Sequence, residues 1–440
     1  MVSGEISKSK EIVKPSSPTP PDLKKLQLSF LDQLAPPIYI HIILYFESSH
    51  DSNYETTSRK LQLSLSDVLT IYYPLAGRIR ENSWVDCNDA GAEYIETLFN
   101  DDKILDVIEN PKIEELKKYV PAAPSGNGDI PLAVQVNFFG CRGIAIGICV
   151  SHMVADAMSM VMFINAWAAA CRQDMITIAV TQPSFDLSSR FPLADISSFL
   201  ALPPQLPRPP EKIVSKRFVF DKQKLTALKK AASGPLVAHP TRVEAVSAFI
   251  MKCFIEAVTM KDKINKEKRI FAATHVVDIR QRATPPLPHQ FFGNACARAM
   301  ATAEGNEPEL DYYELAIILR EAIRKTDVDY IRRLENGEKF LKYYSVNEEN
   351  DPVFKDGRKL LELCSFTSWS RLPAYEADYG WGRPLWVSII DVPQKNLISF
   401  LGTKSGDGIE VWVNMVEEDM AMIETYYNLL NQGESTLKLL

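Results

Sequence analysis

Long apolar runs are missing from this chain. Nowhere in its 440 residues does an apolar stretch approach the ~18 that would span a bilayer. The amino terminus, "MVSGEISKSKEIVKPSSPTPP", has no apolar core either, so no secretory signal is expected and the protein is expected in the cytoplasm. Cysteine pairing motifs are also lacking. The seven cysteines are odd in number, scattered, and form no CxxC, which argues against a disulfide framework or a zinc ribbon and for reduced, mostly buried thiols. The chain holds no HExxH and no Cys/His cluster, so no metal is expected. No G-x-S-x-G occurs, so the usual nucleophile elbow of a serine hydrolase is absent. Positive charge is in deficit, with a net charge of −7, which excludes wholesale attraction to nucleic acid or to a membrane surface. No repeat of 20–50 residues stands out.

What is present is a globular composition, 46% hydrophobic and 24% charged. A chain of 440 residues is too long for one ordinary core and suits two domains of roughly 200 residues each. Leu61, Leu65, Val68, Leu69 and Tyr72 recur at helical spacing, so residues 57–73 read as an amphipathic helix closed by Pro74. "PLAVQVNFF" (131–139), the turn "GCRG" and "IAIGICV" (144–150) read as an antiparallel hairpin. The Ala- and Met-rich stretch 155–172 reads as a largely buried helix that starts close to Asp156. Prolines then crowd residues 182–212, which read as a crossover linker between domains at 1–181 and 213–440. In the second half, helices are expected at 241–257, 310–325 and 417–431, and a strand at 270–278. "LWVSIID", "NLISFLGT" and "GIEVWVN" are expected to form one meander, turning at "SGDG". Strands and helices mix without βαβ alternation, which favours an α+β class over a doubly wound sheet.

The stretch "VSHMVADAMS" (150–159) carries the most suggestive chemistry. His152 follows a buried strand, and Asp156 stands four residues on, where a helix begins. Rigid scaffolds present reactive groups at such ends. The residues alone leave four readings open: a satisfied core histidine, a general base, a metal ligand, or part of a hydrolase triad. Asp156 at a helix start is itself stabilising, because it is acidic where the helix dipole is positive.

Far downstream, "SFTSWSRLPAYEA" leads into "DYGWG" (378–382). Together with "SHMVAD", this resembles the plant BAHD acyl-CoA-dependent acyltransferases, whose hallmarks are HxxxD near mid-chain and DFGWG near the carboxyl end. "YPLAGR", "VDCNDAG", "VSKRFVFD", "FGNAC" and "GDGIEVWV" look like text of the same family. The resemblance covers nearly the whole chain and is nearest to the alkaloid O-acetyltransferase branch. Two departures occur: Tyr379 stands where the family usually has Phe, and Ala157 where Gly often follows the aspartate.

The resemblance implies two similarly sized mixed-sheet α+β domains, chloramphenicol acetyltransferase-like, with a channel between them. It implies that His152 deprotonates an acceptor hydroxyl, which attacks the thioester of acyl-CoA without an acyl-enzyme. Asp156 would orient and pair with Arg280 of "VVDIR". Thr367 and Trp369 would lie near the reaction centre as oxyanion candidates. Asp378, Tyr379, Gly380, Trp381 and Gly382 would be structural. Arg242, Ser247 and Lys252 of "TRVEAVSAFIMK" would meet the phosphate or ribose of CoA. No permanent cofactor is expected, only acetyl-CoA or another acyl-CoA as co-substrate, and the partners are that donor and a small hydroxylated metabolite. A monomer is expected. The donor could instead be malonyl-, benzoyl- or tigloyl-CoA, and the acceptor a terpenoid or phenolic. An ester hydrolase and a non-catalytic metabolite binder are the rival classes.

Overall fold

The computed structural model describes residues 5–47, 53–122, 129–174, 176–177, 182–194, 211–261, 269–304, 310–336, 360–390 and 394–431. The chain divides into two units of similar size. The first comprises Met1–Ala194, Leu287–Ala295 and Leu372–Val392; the second comprises Asp195–Pro286, Cys296–Arg371 and Pro393–Leu440.

A six-stranded mixed sheet forms the first unit. Its order is β1 (Glu5–Val13), β6 (Ala92–Phe99), β7 (Leu132–Phe139), β8 (Ile144–Ser151), β3 (Tyr39–Phe46) and β13 (Trp386–Ile389). Only β6 and β7 run parallel; the other neighbours are antiparallel. The expected hairpin is present, with Leu132 opposite Val150 and Phe138 opposite Ile144. Every residue of β7 and β8 is buried, including Gln135 and Asn137, which break β7's apolar run, while β8 reads as a near-continuous apolar run. A small sheet of β2 (Lys25–Gln27), β5 (Trp84–Asp86) and β4 (Arg78–Arg80) completes this unit's strands. Helix Tyr54–Ile71 buries Leu61, Leu65, Val68 and Leu69, the residues whose spacing announced it. It meets helix Ala157–Cys171, where Trp167 Nε1 donates to Leu61 O at 3.3 Å and to Ser64 Oγ at 3.1 Å.

The second unit carries another six-stranded mixed sheet. Its order is β11 (Cys296–Glu304), β10 (Arg269–Asp278), β12 (Leu360–Trp369), β14 (Leu397–Gly402), β15 (Ile409–Val416) and β9 (Ile213–Phe220). Here β12 runs parallel to both β10 and β14. Helices Arg242–Lys261, Tyr312–Arg324 and Glu417–Leu430 supply apolar faces to one core that includes Phe249, Phe254, Leu315, Leu319, Met420 and Phe366.

Two expectations about organisation differ from what is observed. "LWVSIID" does not join the meander: β13 pairs with β3 in the first unit's sheet, while β14 and β15 form the hairpin in the second. The buried four-residue β13 completes that sheet's end, and Trp386 stacks on Tyr45 there at 5.0 Å. "DYGWG" therefore groups with the first unit, not with a contiguous carboxyl-terminal domain. Of the proline-rich stretch, residues 195–210 lie outside the described residues, and its start contains the short helix Leu187–Arg190. The seven cysteines are free thiols; five are buried, Cys296 is half-buried and Cys141 is exposed.

Candidate active site

His152 sits one residue beyond β8. Its backbone is held on both sides: the N–H donates to Ile38 O at 2.8 Å, and the carbonyl accepts from Asn294 Nδ2 at 2.7 Å. The ring is half-buried. Nδ1 is buried and has no hydrogen-bond partner among the described residues. That leaves Nε2 as the nitrogen able to meet a reactant.

Asp156 ends the turn that His152 begins. It is the N-cap of helix Ala157–Cys171, and its carboxylate accepts from Ser159 N at 2.8 Å. Its own N–H reaches Gly293 O at 3.4 Å. Ser159 Oγ donates to Gly293 O at 2.9 Å and accepts from Gly293 N at 3.0 Å. The "FGN" segment therefore lies along the HxxxD turn and grips both its ends.

Asn294 was missed as a site residue in the sequence, where "FGNAC" served only as family text. Its backbone and side chain converge on the buried Asp32: Asn294 N donates to Asp32 Oδ1 at 2.8 Å and Nδ2 to the same oxygen at 2.9 Å. Ser29 N and Oγ occupy Asp32 Oδ2 at 2.8 and 2.6 Å, in a capping box of the short helix Phe30–Gln33. Burial pushes the Asp32 pKa up, and these hydrogen bonds oppose the shift. The only local signal for Asp32 is its place three residues after Ser29, the spacing of a capping box, and nothing local ties it to Asn294.

The "DYGWG" loop is built by its aspartate. Asp378 Oδ1 accepts from Gly380 N at 2.8 Å and from Gly382 N at 2.9 Å. Both glycines have positive φ, +106° and +105°, which a side chain would strain. Arg172, just past the Ala157–Cys171 helix, donates to Asp378 O. Tyr379 is fully buried. It stacks on Trp381 at 5.6 Å and meets Trp167 edge-on at 5.1 Å. The motif thus packs against the helix that follows Asp156.

In the second unit, Thr367 and Trp369 occupy one face of β12, opposite Ser399 and Leu401 of β14, and both are half-buried. Arg280 is 1% exposed; its N–H and guanidinium both reach Asp278 Oδ1, at 2.9 and 3.3 Å. Arg242 opens helix Arg242–Lys261 and donates to the carbonyls of Gly406 and Gly408, at 2.6 and 3.3 Å. Ser247 and Lys252, expected to meet the phosphate or ribose of CoA, are both buried, at 0% and 5% exposure, in the stretch of this helix from Glu244 through Phe254. Ser247 Oγ is 3.0 Å from His275 Nε2, and Lys252 Nζ is 2.9 Å from Glu256. His275 stacks on Phe366 at 4.7 Å, and burial lowers its pKa to about 4. Among the described residues, no group of His, Cys, Asp and Glu is arranged to hold a metal ion.

Two mixed-sheet α+β units, with a histidine presented where a buried strand turns into a helix, are the frame of an acyltransferase in the family that this chain matches. The chain belongs to the transferase family of BAHD acyltransferases, whose family model, described as "Transferase family", matches residues 6–430. It is 40% identical to stemmadenine O-acetyltransferase of Catharanthus roseus, over 95% of each chain. It is also 40% identical to vinorine synthase of Rauvolfia serpentina, over 94% of this chain and 95% of that one. The crystal structure of vinorine synthase superposes with a TM-score of 0.80 at 37% identity, over 97% of this chain and 98% of that chain.

Proposed function

We propose that the protein transfers an acetyl group from acetyl-CoA to a hydroxyl of an alkaloid, with His152 as the general base. The carrying observation is His152 itself: its main chain is pinned at N–H and C=O, its Nδ1 is buried, and its ring stays half-exposed. The 40% identity to an alkaloid O-acetyltransferase along nearly the whole chain supports the donor and acceptor classes.

In this reading Nε2 takes the hydroxyl proton as the acceptor oxygen attacks the thioester carbonyl. The new C–O bond forms, the C–S bond breaks, and the proton passes from Nε2 to the departing CoA sulfur. A positioned base contributes typically ~10²–10⁴ in rate. No protein nucleophile is needed. Asp156 shapes the turn and stays clear of the reacting atoms. The Thr367 hydroxyl and Trp369 N–H are the proposed donors to the tetrahedral oxyanion, and Arg242 is the proposed cation for the CoA phosphates. A cytoplasmic monomer is part of this proposal. Among the described residues, no helix is long and apolar enough to cross a membrane.

Incubating the purified protein with acetyl-, malonyl-, benzoyl- or tigloyl-CoA against a panel of hydroxylated alkaloids, stemmadenine included, tests this by mass detection of esters. Acetyl ester formation is expected. No ester with any donor contradicts the reading.

A further inference from the structure

Outside the proposed reacting groups, the most heavily hydrogen-bonded polar cluster beside the HxxxD turn is Ser29, Asp32 and Asn294. All three are nearly solvent-free, at 0%, 4% and 1% exposure. Burying three polar side chains costs free energy unless each is satisfied. Here the satisfaction is specific. The Asp32 carboxylate accepts four hydrogen bonds, two from Ser29 and two from Asn294. Both hydrogens of the Asn294 amide are committed, one to Asp32 Oδ1 and one to the carbonyl of His152. The amide cannot be turned over, because its oxygen would then face two acceptors. Its Oδ1 has no hydrogen-bond partner among the described residues, a cost accepted to keep the nitrogen where it is. Close packing excludes a side chain at the preceding residue. A Cβ on Gly293, whose φ is +135°, would lie 2.9 Å from Leu187 Cδ2 and 3.3 Å from Asp32 Oδ1.

We infer that Asp32 and Asn294 are positioning residues for the general base: a buried carboxylate–amide strut that fixes the carbonyl of His152 and, through it, the direction in which the imidazole points. The inference rests on the reading of His152 as that base. The strut is anchored in a capping box 120 residues upstream of the histidine, so the ring's aim is set by the helix Phe30–Gln33 as well as by its own turn. A carbonyl released from Nδ2 lets the peptide after His152 rotate, and small misplacement of a base costs rate steeply. Asp156 and Ser159 hold the far end of the turn through Gly293 and the helix start, by hydrogen bonds that neither variant below removes. Losing the strut should therefore loosen the histidine without unmaking the helix.

The test uses Asn294→Ala and the near-isosteric Asp32→Asn, with His152→Gln as reference. Steady-state rates are measured with acetyl-CoA and the acceptor that the ester screen identifies, and normalised to folded protein. The His152 ring signal is followed by ¹³C NMR of histidine-labelled protein, assigned through His152→Gln, which needs no acceptor. Both variants should lose at least tenfold in kcat, keep the KM for acetyl-CoA within twofold, and shift or broaden the His152 signal alone. A purely structural role would lower thermal stability while leaving kcat per folded molecule and the ring signal untouched, and that result overturns the inference. So does failure of both variants to fold, since the cluster would then serve the fold and not the ring. If His152→Gln keeps turnover, the base assignment fails instead, and a moved ring signal in the variants would still show the strut.

Discussion

Tyr379 offers a quantitative test of the packing around the "DYGWG" loop. Its ring is fully buried against Trp381, Trp167 and Phe46, at centroid distances of 5.6, 5.1 and 5.7 Å. The hydroxyl has no hydrogen-bond partner among the described residues. Burial pushes the phenol's pKa well above its usual value, so the group is neutral and no charge is at stake. An unsatisfied buried hydroxyl costs about 1–3 kcal/mol. Tyr379→Phe removes that cost, keeps all three ring contacts, and opens a void of roughly one oxygen atom worth only about 0.3 kcal/mol. The net expectation is a gain of about 1–2 kcal/mol. For a unit of about 200 residues this raises the unfolding midpoint by roughly 2–8 °C in scanning calorimetry. Turnover should stay within about twofold of the parent if the motif is structural, as the resemblance implies. A midpoint lowered by more than about 2 °C would mean the hydroxyl is bonded in the folded protein, and the reasoning fails.

Three further outcomes are expected. His275 has its pKa lowered to about 4 by burial, so the fold favours the neutral ring; its contribution is complete above pH 6.5 and is lost as pH falls from 6.5 towards 4. That amounts to at most about 3 kcal/mol. His41, also lowered to about 4 by burial, adds a second increment of the same sign. Denaturant midpoints measured between pH 7 and 4 should therefore fall less steeply for His275→Gln, and least for the double variant with His41→Gln; parallel curves would refute the assignment. Asp378→Ala strips the acceptor from the Gly380 and Gly382 N–H groups and should cost about 1–2 kcal/mol by urea unfolding. Its kcat per folded molecule should change less than threefold, whereas a loss beyond about a hundredfold would place Asp378 in the chemistry. Arg242→Ala should raise the KM for acetyl-CoA about tenfold with kcat preserved, the mark of lost ground-state binding; an unchanged KM would remove Arg242 from the proposed donor site.

Much of the architecture was legible because it rests on local physics. The 3.6-residue recurrence of Leu61, Leu65, Val68 and Leu69 gave helix Tyr54–Ile71, and the apolar runs around "GCRG" gave the β7–β8 hairpin. The helix is expected to start close to Asp156, and Asp156 is its N-cap. What escaped was non-local. Nothing in "LWVSIID" says that β13 pairs with β3, more than 340 residues upstream, instead of with the strand that follows it. Ser247 and Lys252 are expected, from the resemblance, to meet CoA, and they are buried. Their burial depends on His275 and Glu256 being there to satisfy them. Asn294 is another such residue, because the hydrogen bonds that give it meaning come from residues 32 and 152.

The central claim is that the imidazole at position 152 removes the acceptor's proton. Measuring kcat for His152→Gln, with acetyl-CoA and the identified acceptor at saturation and the unfolding midpoint as a control for folding, tests it most directly. The expected result is a loss of about 10²–10⁴ in kcat with the midpoint close to that of the parent. Turnover within about tenfold of the parent, in protein that is folded, would contradict the account.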